Sequence, residues 1–280
     1  MAVPELVGVY GGGRMGAGIV HAFLLVGARV VVVETSDATA GAAHDRVAGT
    51  LAQAAERGQV PEGVGAALAR LTTTTDPHAL AAAGLVVEAV PELPDLKAEV
   101  LARIAAAAPD AVVATNTSSL SVDGLAAALP DPARFVGLHF FNPVPASDLV
   151  EIVVGSATAP DVVTAAQGWV VDLGKTAVTV ADSPGFASSR LGVALALEAM
   201  RMLDEGVASA DDIDTAMTLG YRHPVGPLRT TDLVGLDVRL AIAEHLEREL
   251  GPRFAPPQVL RDHVAAGRLG RKSGQGFFTW

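Results

Sequence analysis

The sequence predicts an α/β chain. It divides into an open sheet built by strand–helix alternation over residues 1–182, with a helical hairpin inserted at about 36–70, and an all-α part over 183–280. Three observations carry this. A short apolar run, Leu6–Tyr10, leads directly into a glycine loop, Gly11-Gly-Gly-Arg-Met-Gly16, and a helix-length apolar segment. Apolar runs of strand length then alternate with helical stretches, as in βαβ units. Beyond Ser183-Pro-Gly185 that alternation gives way to helical periodicity alone.

Taken in order, Leu6–Tyr10 reads as the first strand. Gly11, Gly13 and Gly16 then fit G-x-G-x-x-G: one glycine for the tight turn, one for close approach of a pyrophosphate, one for helix–strand packing. Arg14 and Met15 lie inside the loop and count with it as dinucleotide contacts, and Ala17–Val26 supplies the helix whose N-terminus faces the phosphates. Val30–Val33 is a second buried strand ending in Glu34, where a carboxylate accepts from ribose hydroxyls and repels a 2′-phosphate. That selects NAD over NADP. The alanine-rich stretch Thr35–Arg70, broken at Gly58–Pro61, reads as a helical hairpin: a surface crossover or a substrate-binding insertion. Leu85–Val90 is a strand holding Glu88, followed by a helix to Ala108. Ala111–Ala114 is another strand, and Thr115–Ser119 at its carboxyl end presents small polar groups either to a ligand or as a helix cap. In the C-terminal part the predicted helices are Ala187–Asp204, Ala210–Leu219, Leu236–Leu250 and Pro257–Ala266. Ser209 and Asp212 resemble a capping box, and Gly220, Gly251 and Gly267 fall at helix ends. The first of these helices is apolar enough to bury a face against a second copy of the chain.

Between these elements lies Gly137-Leu-His-Phe-Phe-Asn-Pro-Val-Pro-Ala-Ser-Asp-Leu-Val-Glu-Ile-Val153. Pro143 and Pro145 end one apolar run and a second follows, so neighbouring strands would set Glu151 beside His139. A carboxylate on one imidazole nitrogen fixes the tautomer and raises the basicity of the other, which makes a general base. The plainer reading is a core histidine satisfied by a backbone carbonyl.

Composition narrows the partners. The net charge of −11 and the absence of any Lys/Arg block argue against nucleic acid. The 20 basic residues include only three lysines, Lys97, Lys175 and Lys272, so a polyphosphate ligand depends on few cations, helix N-termini and backbone amides. There is no cysteine, and the seven histidines lack metal-ligand spacing, so no metal is expected. No apolar run is long enough to span a bilayer and the start lacks a signal-peptide pattern; a cytoplasmic protein with no membrane partner is expected.

With these motifs in view, the chain resembles the short-chain L-3-hydroxyacyl-CoA dehydrogenases, close to the 3-hydroxybutyryl-CoA dehydrogenases. The carriers are GGGRMGAGI at 11, VVEAVPE at 86, TNTSSL at 115, GLHFFNPVP at 137 and LVEIV at 149. DSPGF at 182, DEGVAS at 204, DDID at 211, VGPLRTTDLVGLD at 225 and GRLGRKSGQGFF at 267 extend the similarity end to end. The resemblance implies a Rossmann-like NAD-binding domain followed by a helical domain that forms a homodimer, with the active site in the cleft between. It implies reversible oxidation of an L-3-hydroxyacyl-CoA to the 3-ketoacyl-CoA, with NAD as cofactor. His139 maps to the base, Glu151 to its partner, and Ser118 to the serine near substrate hydroxyl and cofactor. Glu92, Lys97, Asn116, Asn142 and Lys272 map around the nicotinamide and its ribose, with Ser118 and Asn142 also facing substrate. Thr50 and Arg57, seven apart and so on one helical face, map to the serine and lysine that hold the CoA nucleotide.

Two departures stand out. Gln53, Glu56 and Gln59 flank Arg57 where the family carries lysines, which brings in a carrier-bound or free 3-hydroxy acid as the alternative substrate. Ser189 replaces the asparagine before Arg190 at a catalytic position, which brings in a protein that binds NAD without catalysis.

Overall fold

The computed structural model describes residues 2–280. Eight strands form one sheet: β1 (Leu6–Tyr10), β2 (Arg29–Val33), β3 (Leu71–Thr74), β4 (Leu85–Glu88), β5 (Val112–Thr115), β6 (Phe135–Phe140), β7 (Leu149–Val154) and β8 (Thr176–Ala181). Their order is β3-β2-β1-β4-β5-β6-β7-β8, and every pair is parallel except β6·β7. The chain order reverses direction across the sheet between β1 and β4, the place where such sheets hold ligands beyond their carboxyl ends.

The helices of this unit are α1 (Arg14–Leu25), α2 (Asp37–Ala55), α3 (Val64–Leu68), α4 (Pro94–Ala107), α5 (Val122–Ala126) and α6 (Pro160–Asp172). One core joins α1, α2 and α6 to alternate residues of the strands: Val7 and Val9, Val30 and Val32, Leu138 and Phe140, Val150 and Ile152. Period-two alternation therefore turns His139 and Glu151 away from that core, toward the other face of the sheet.

Several elements differ from the sequence reading. The first helix starts at Arg14 rather than Ala17, so the last glycine of the loop lies within it. β3 and β8 are additional strands. β3 is the threonine-rich Leu-Thr-Thr-Thr, and β8 lies at an edge with four of its six residues exposed, so neither shows a continuous buried apolar run. The hairpin is a long helix and a short one. Because α2 stops at Ala55, Arg57 lies in the turn beyond it, and the shared helical face with Thr50 is not formed. Gly58, at φ +71°, takes the left-handed backbone that ends the helix.

The chain divides after Asp182 into two compact units. The second contains α7 (Ser188–Asp204), α8 (Ala210–Gly220), α9 (Pro227–Val234), α10 (Leu236–Leu250) and α11 (Gln258–Ala265) around a core that includes Leu197, Met200, Leu228, Leu236 and Leu246. The sequence reading omitted α9, which is short and polar. Its N-terminus is held by buried Asp214, which accepts from the amides of Leu228 and Arg229 at 2.8 and 2.9 Å. Burial pushes the Asp214 carboxyl above its usual range in spite of those bonds. Ser209 caps α8 by accepting from the Asp212 amide. Buried Asp232 ties down the C-terminal segment, accepting from the amides of Phe277 and Phe278 and from the Trp280 indole, each at 2.9 Å.

Candidate active site

The glycine loop packs closely between the end of β1 and the start of α1. Gly11 sits at φ +96°, and a Cβ on Gly16 would lie 1.8 Å from the Gly11 carbonyl oxygen, so only glycine lets α1 start against the strand end. Gly13 is the N-cap of α1 and provides no side-chain cap; nothing lies within 4 Å of where its Cβ would be. α1 thus starts without a side-chain cap and with open space beside Gly13, and the N-terminus of a helix is a place that can receive an anionic group. Gly12, which the motif leaves unassigned, is also constrained: its Cβ would meet Ala43 of α2 at 2.3 Å. The Glu34 carboxylate accepts from the Gly12 amide at 2.5 Å, and Arg46 of α2 donates to the Gly12 carbonyl at 3.2 Å. Glu34 therefore stands at the loop, where a ribose bound there would meet it.

His139 and Glu151 are register partners in the antiparallel β6·β7 pair. Directly opposed residues share a face, which makes the turn at Asn142–Ser147 responsible for the dyad. His139 Nδ1 and Glu151 Oε2 are 2.8 Å apart, and the residues are only 6% and 1% exposed. The plain core-histidine reading does not hold, because the ring's partner is a buried carboxylate. In the tautomer in which Nδ1 carries the hydrogen toward Glu151, Nε2 is the nitrogen with the lone pair. Phe141 packs on the ring, with centroids 4.4 Å apart.

His139 opens on a cleft of about 350 Å³ whose lining includes Met15, Glu92, Asn116, Ser118, Phe141 and Asn142. Of the predicted cofactor and substrate residues, the cleft gathers Met15, Glu92, Asn116, Ser118 and Asn142 around His139; the glycines of the loop, Arg14, Glu34, Lys97, Thr50 and Arg57 lie outside its lining. Asn116 Oδ1 accepts from the Phe140 amide at 2.9 Å, locking the end of β5 to the end of β6. Ser118 belongs to a loop organised by Glu92. Glu92 Oε1 accepts from Thr117 Oγ1 at 2.6 Å and from the amides of Ser118 and Ser119 at 2.8 and 3.0 Å. Of the two readings of Thr115–Ser119, the helix cap does not hold, since the cap of α5 is Ser121; Asn116 and Ser118 line the cleft, while Thr115 and Thr117 are buried and donate to Glu88 and Glu92. Burial opposes ionisation of Glu92, but the Lys97 charge and the hydrogen bonds from Thr117 and Ser118 outweigh it and hold the carboxyl below its usual range.

Lys97 does not face the cleft. It is buried, with Nζ 2.7 and 2.9 Å from the two oxygens of Glu88 and 3.3 Å from Glu92. Glu88, which the sequence reading noted only as lying inside a strand, is therefore part of the support beneath Glu92. The signal was available: a carboxylate in an apolar run needs a partner, and one of the three lysines follows nine residues later. Lys175 is a further support, donating to the carbonyls of Val144 and Ser147 in the turn that carries Asn142; burial pushes its ammonium pKa down.

Thr50 lies on α2 against α1, its hydroxyl donating to Val47 and pairing at 3.1 Å with buried His21, another residue the sequence reading passed over. Burial, then the Lys175 charge, lower the His21 pKa. Arg57 is exposed. Ser189 sits half-buried in the first turn of α7, and Lys272 pairs with Asp237 at 2.6 Å; both belong to the helical unit.

The chain is similar to known proteins along nearly its whole length. The family model of the 3-hydroxyacyl-CoA dehydrogenase NAD-binding domain matches residues 6–183, and that of the C-terminal domain matches 185–280. A 3-hydroxybutyryl-CoA dehydrogenase of Mycobacterium tuberculosis is 41% identical, covering 99% of this chain and 98% of its own. The 3-hydroxyadipyl-CoA dehydrogenase of Escherichia coli is 39% identical over 99% of this chain and 59% of its own. The crystal structure of (S)-3-hydroxybutyryl-CoA dehydrogenase from Ralstonia eutropha superposes with a TM-score of 0.95 at 39% identity, covering 99% of both chains.

Proposed function

This chain belongs to the 3-hydroxyacyl-CoA dehydrogenase family and is an NAD-dependent oxidoreductase, and from that premise we propose that it interconverts short-chain L-3-hydroxyacyl-CoA and 3-ketoacyl-CoA. The observation that carries the reading is the His139–Glu151 pair opening on a cleft shared with Met15, Glu92, Asn116, Ser118 and Asn142. His139 Nε2 takes the proton of the 3-hydroxyl while Glu151 holds the ring and stabilises the imidazolium that forms. Ser118 and Asn142 position the substrate oxygen. NAD, when bound, accepts the hydride leaving C3. The loop glycines, with Arg14 and Met15, hold the pyrophosphate side, and Glu34 holds the adenosine ribose. Glu92 and Asn116 border the nicotinamide end, Lys97 acts through Glu92, and Lys272 is a further cofactor residue of the reading.

Thr50 and Arg57 are the proposed contacts for the CoA nucleotide. The exposure of Arg57 beyond the end of α2, among Gln53, Glu56 and Gln59, favours a second reading, in which a carrier-bound or free 3-hydroxy acid is used. Ser189, shorter than the asparagine it replaces, leaves room that a water bridges in the first reading. The helical unit forms a homodimer through α7, where Leu191 and Leu195 remain 71% and 38% exposed. Among the described residues no helix is long and apolar enough to cross a membrane.

The test is NADH consumption with acetoacetyl-CoA, its pantetheine thioester and free acetoacetate in parallel. The proposal expects the CoA ester to turn over with the highest kcat/KM. Equal use of the pantetheine ester moves the assignment to a carrier-bound substrate, and preference for acetoacetate to the free acid.

A further inference from the structure

The buried pair Glu88–Lys97 has no part in proton or hydride transfer, yet it lies directly under the cleft. Glu88 ends β4 and is fully buried; Lys97, in the first turns of α4, is 1% exposed. Every contact of Glu88 is made in the interior: both oxygens to Lys97 Nζ, one to the Val90 amide at 2.7 Å and the other to Thr115 Oγ1 at 2.6 Å. Above them, Glu92 Oε2 lies 3.3 Å from the same ammonium, while the Glu92 side chain keeps about one-third of its surface exposed at 34%. One cation is thus shared by two carboxylates, and its short bidentate contact is with the inner one.

Without Glu88, Lys97 would neutralise Glu92. With Glu88 present the three groups sum to one negative charge, and the carboxylate on the cleft wall carries it outward. We propose that Glu88 is a positioning residue which, by sharing Lys97 with Glu92, leaves the three groups with one net negative charge at the cleft wall, so that the cleft favours the cationic ring of oxidised NAD over the neutral ring of NADH. This rests on the placement of the nicotinamide against Glu92 made above. The low carboxyl pKa of Glu92 is consistent with a charge maintained at neutral pH.

The experiment measures the dissociation constants of NAD⁺ and NADH by calorimetry for the wild type, Glu88→Gln, Glu92→Gln and the double variant E88M/K97M. Glu88→Gln keeps the shape and an acceptor for Thr115 but removes the charge. It should weaken NAD⁺ roughly five- to tenfold and change NADH less than twofold, the scale of one unit charge acting through a partly screened medium. Glu92→Gln should do the same. E88M/K97M removes a positive and a negative charge together, and should return the NAD⁺/NADH ratio to the wild-type value. A ratio moved by Glu92→Gln but not by Glu88→Gln overturns the role of Glu88 and leaves the nicotinamide placement standing. A ratio moved by neither removes the placement and the proposal with it. A ratio that stays shifted in E88M/K97M shows that displacement, not charge, is responsible, and also overturns it. Circular dichroism checks the fold of each variant. If E88M/K97M does not fold, the comparison of the two isosteric single variants decides.

Discussion

Glu151→Gln isolates the charge of the dyad from its geometry. The amide has the shape of the carboxylate and can still accept from His139 Nδ1, but it cannot compensate the imidazolium that forms as the proton arrives. The 2.8 Å contact and the near-complete burial of both residues leave little water to take over. A hydrogen bond to a charged group in such a setting contributes about 1.5–3 kcal/mol, which is roughly a 10- to 150-fold loss in rate. The loss belongs to kcat, because the charge on the imidazole exists at the transition state and not in the ground state. Initial rates of 3-hydroxybutyryl-CoA oxidation, read as NADH formation, give the split, and NADH titration checks that the cofactor still binds. A Glu151→Gln enzyme with wild-type kcat and a raised KM would refute the reasoning, since it would show the carboxylate serving binding alone.

Glu34→Gln should narrow the preference for NADH over NADPH, because the repulsion of a 2′-phosphate is lost; a wild type that uses both equally would show that this carboxylate serves the Gly12 and Thr35 amides and not the ribose. Glu92 bears on acid stability. Its carboxyl pKa is lower folded than unfolded, so its contribution is present above the unfolded value and is lost as pH falls through the folded one. Thermal melts from neutral to acid pH should therefore fall less steeply for Glu92→Gln than for the wild type below about pH 4.3, the ordinary glutamate value; parallel curves would contradict this. Light scattering at micromolar concentration should report a dimer, and Leu191→Glu should shift it toward monomer by placing a charge in the apolar face of α7.

What could be read from the sequence was local. Strand, glycines, helix, strand and Glu34 follow one another within a single βαβ unit, and each step has a short-range cause: an apolar run, a turn only glycine makes, a helix start. The His139–Glu151 contact was legible for the same reason, since two prolines force the turn and the antiparallel pairing opposes the two residues. The elements that escaped depend on context. β8 is a strand because β7 offers it an edge, and α9 is a helix because Asp214, from another helix, holds its first amides. Thr50 and Arg57 are spaced for one helical face, but the left-handed Gly58 and the end of α2 separate them. Glu88 and Lys97 meet only because β4, its turn and α4 fold back on each other, so the support under Glu92 appears in three dimensions and not in the spacing.

The central claim is that His139 is the base of a dehydrogenase, and turnover by His139→Gln tests it most directly. General-base loss costs on the order of 10²–10⁴ in rate. NADH formation from 3-hydroxybutyryl-CoA should fall by that factor, with NADH affinity close to the wild-type value. Turnover near that of the wild type would contradict it.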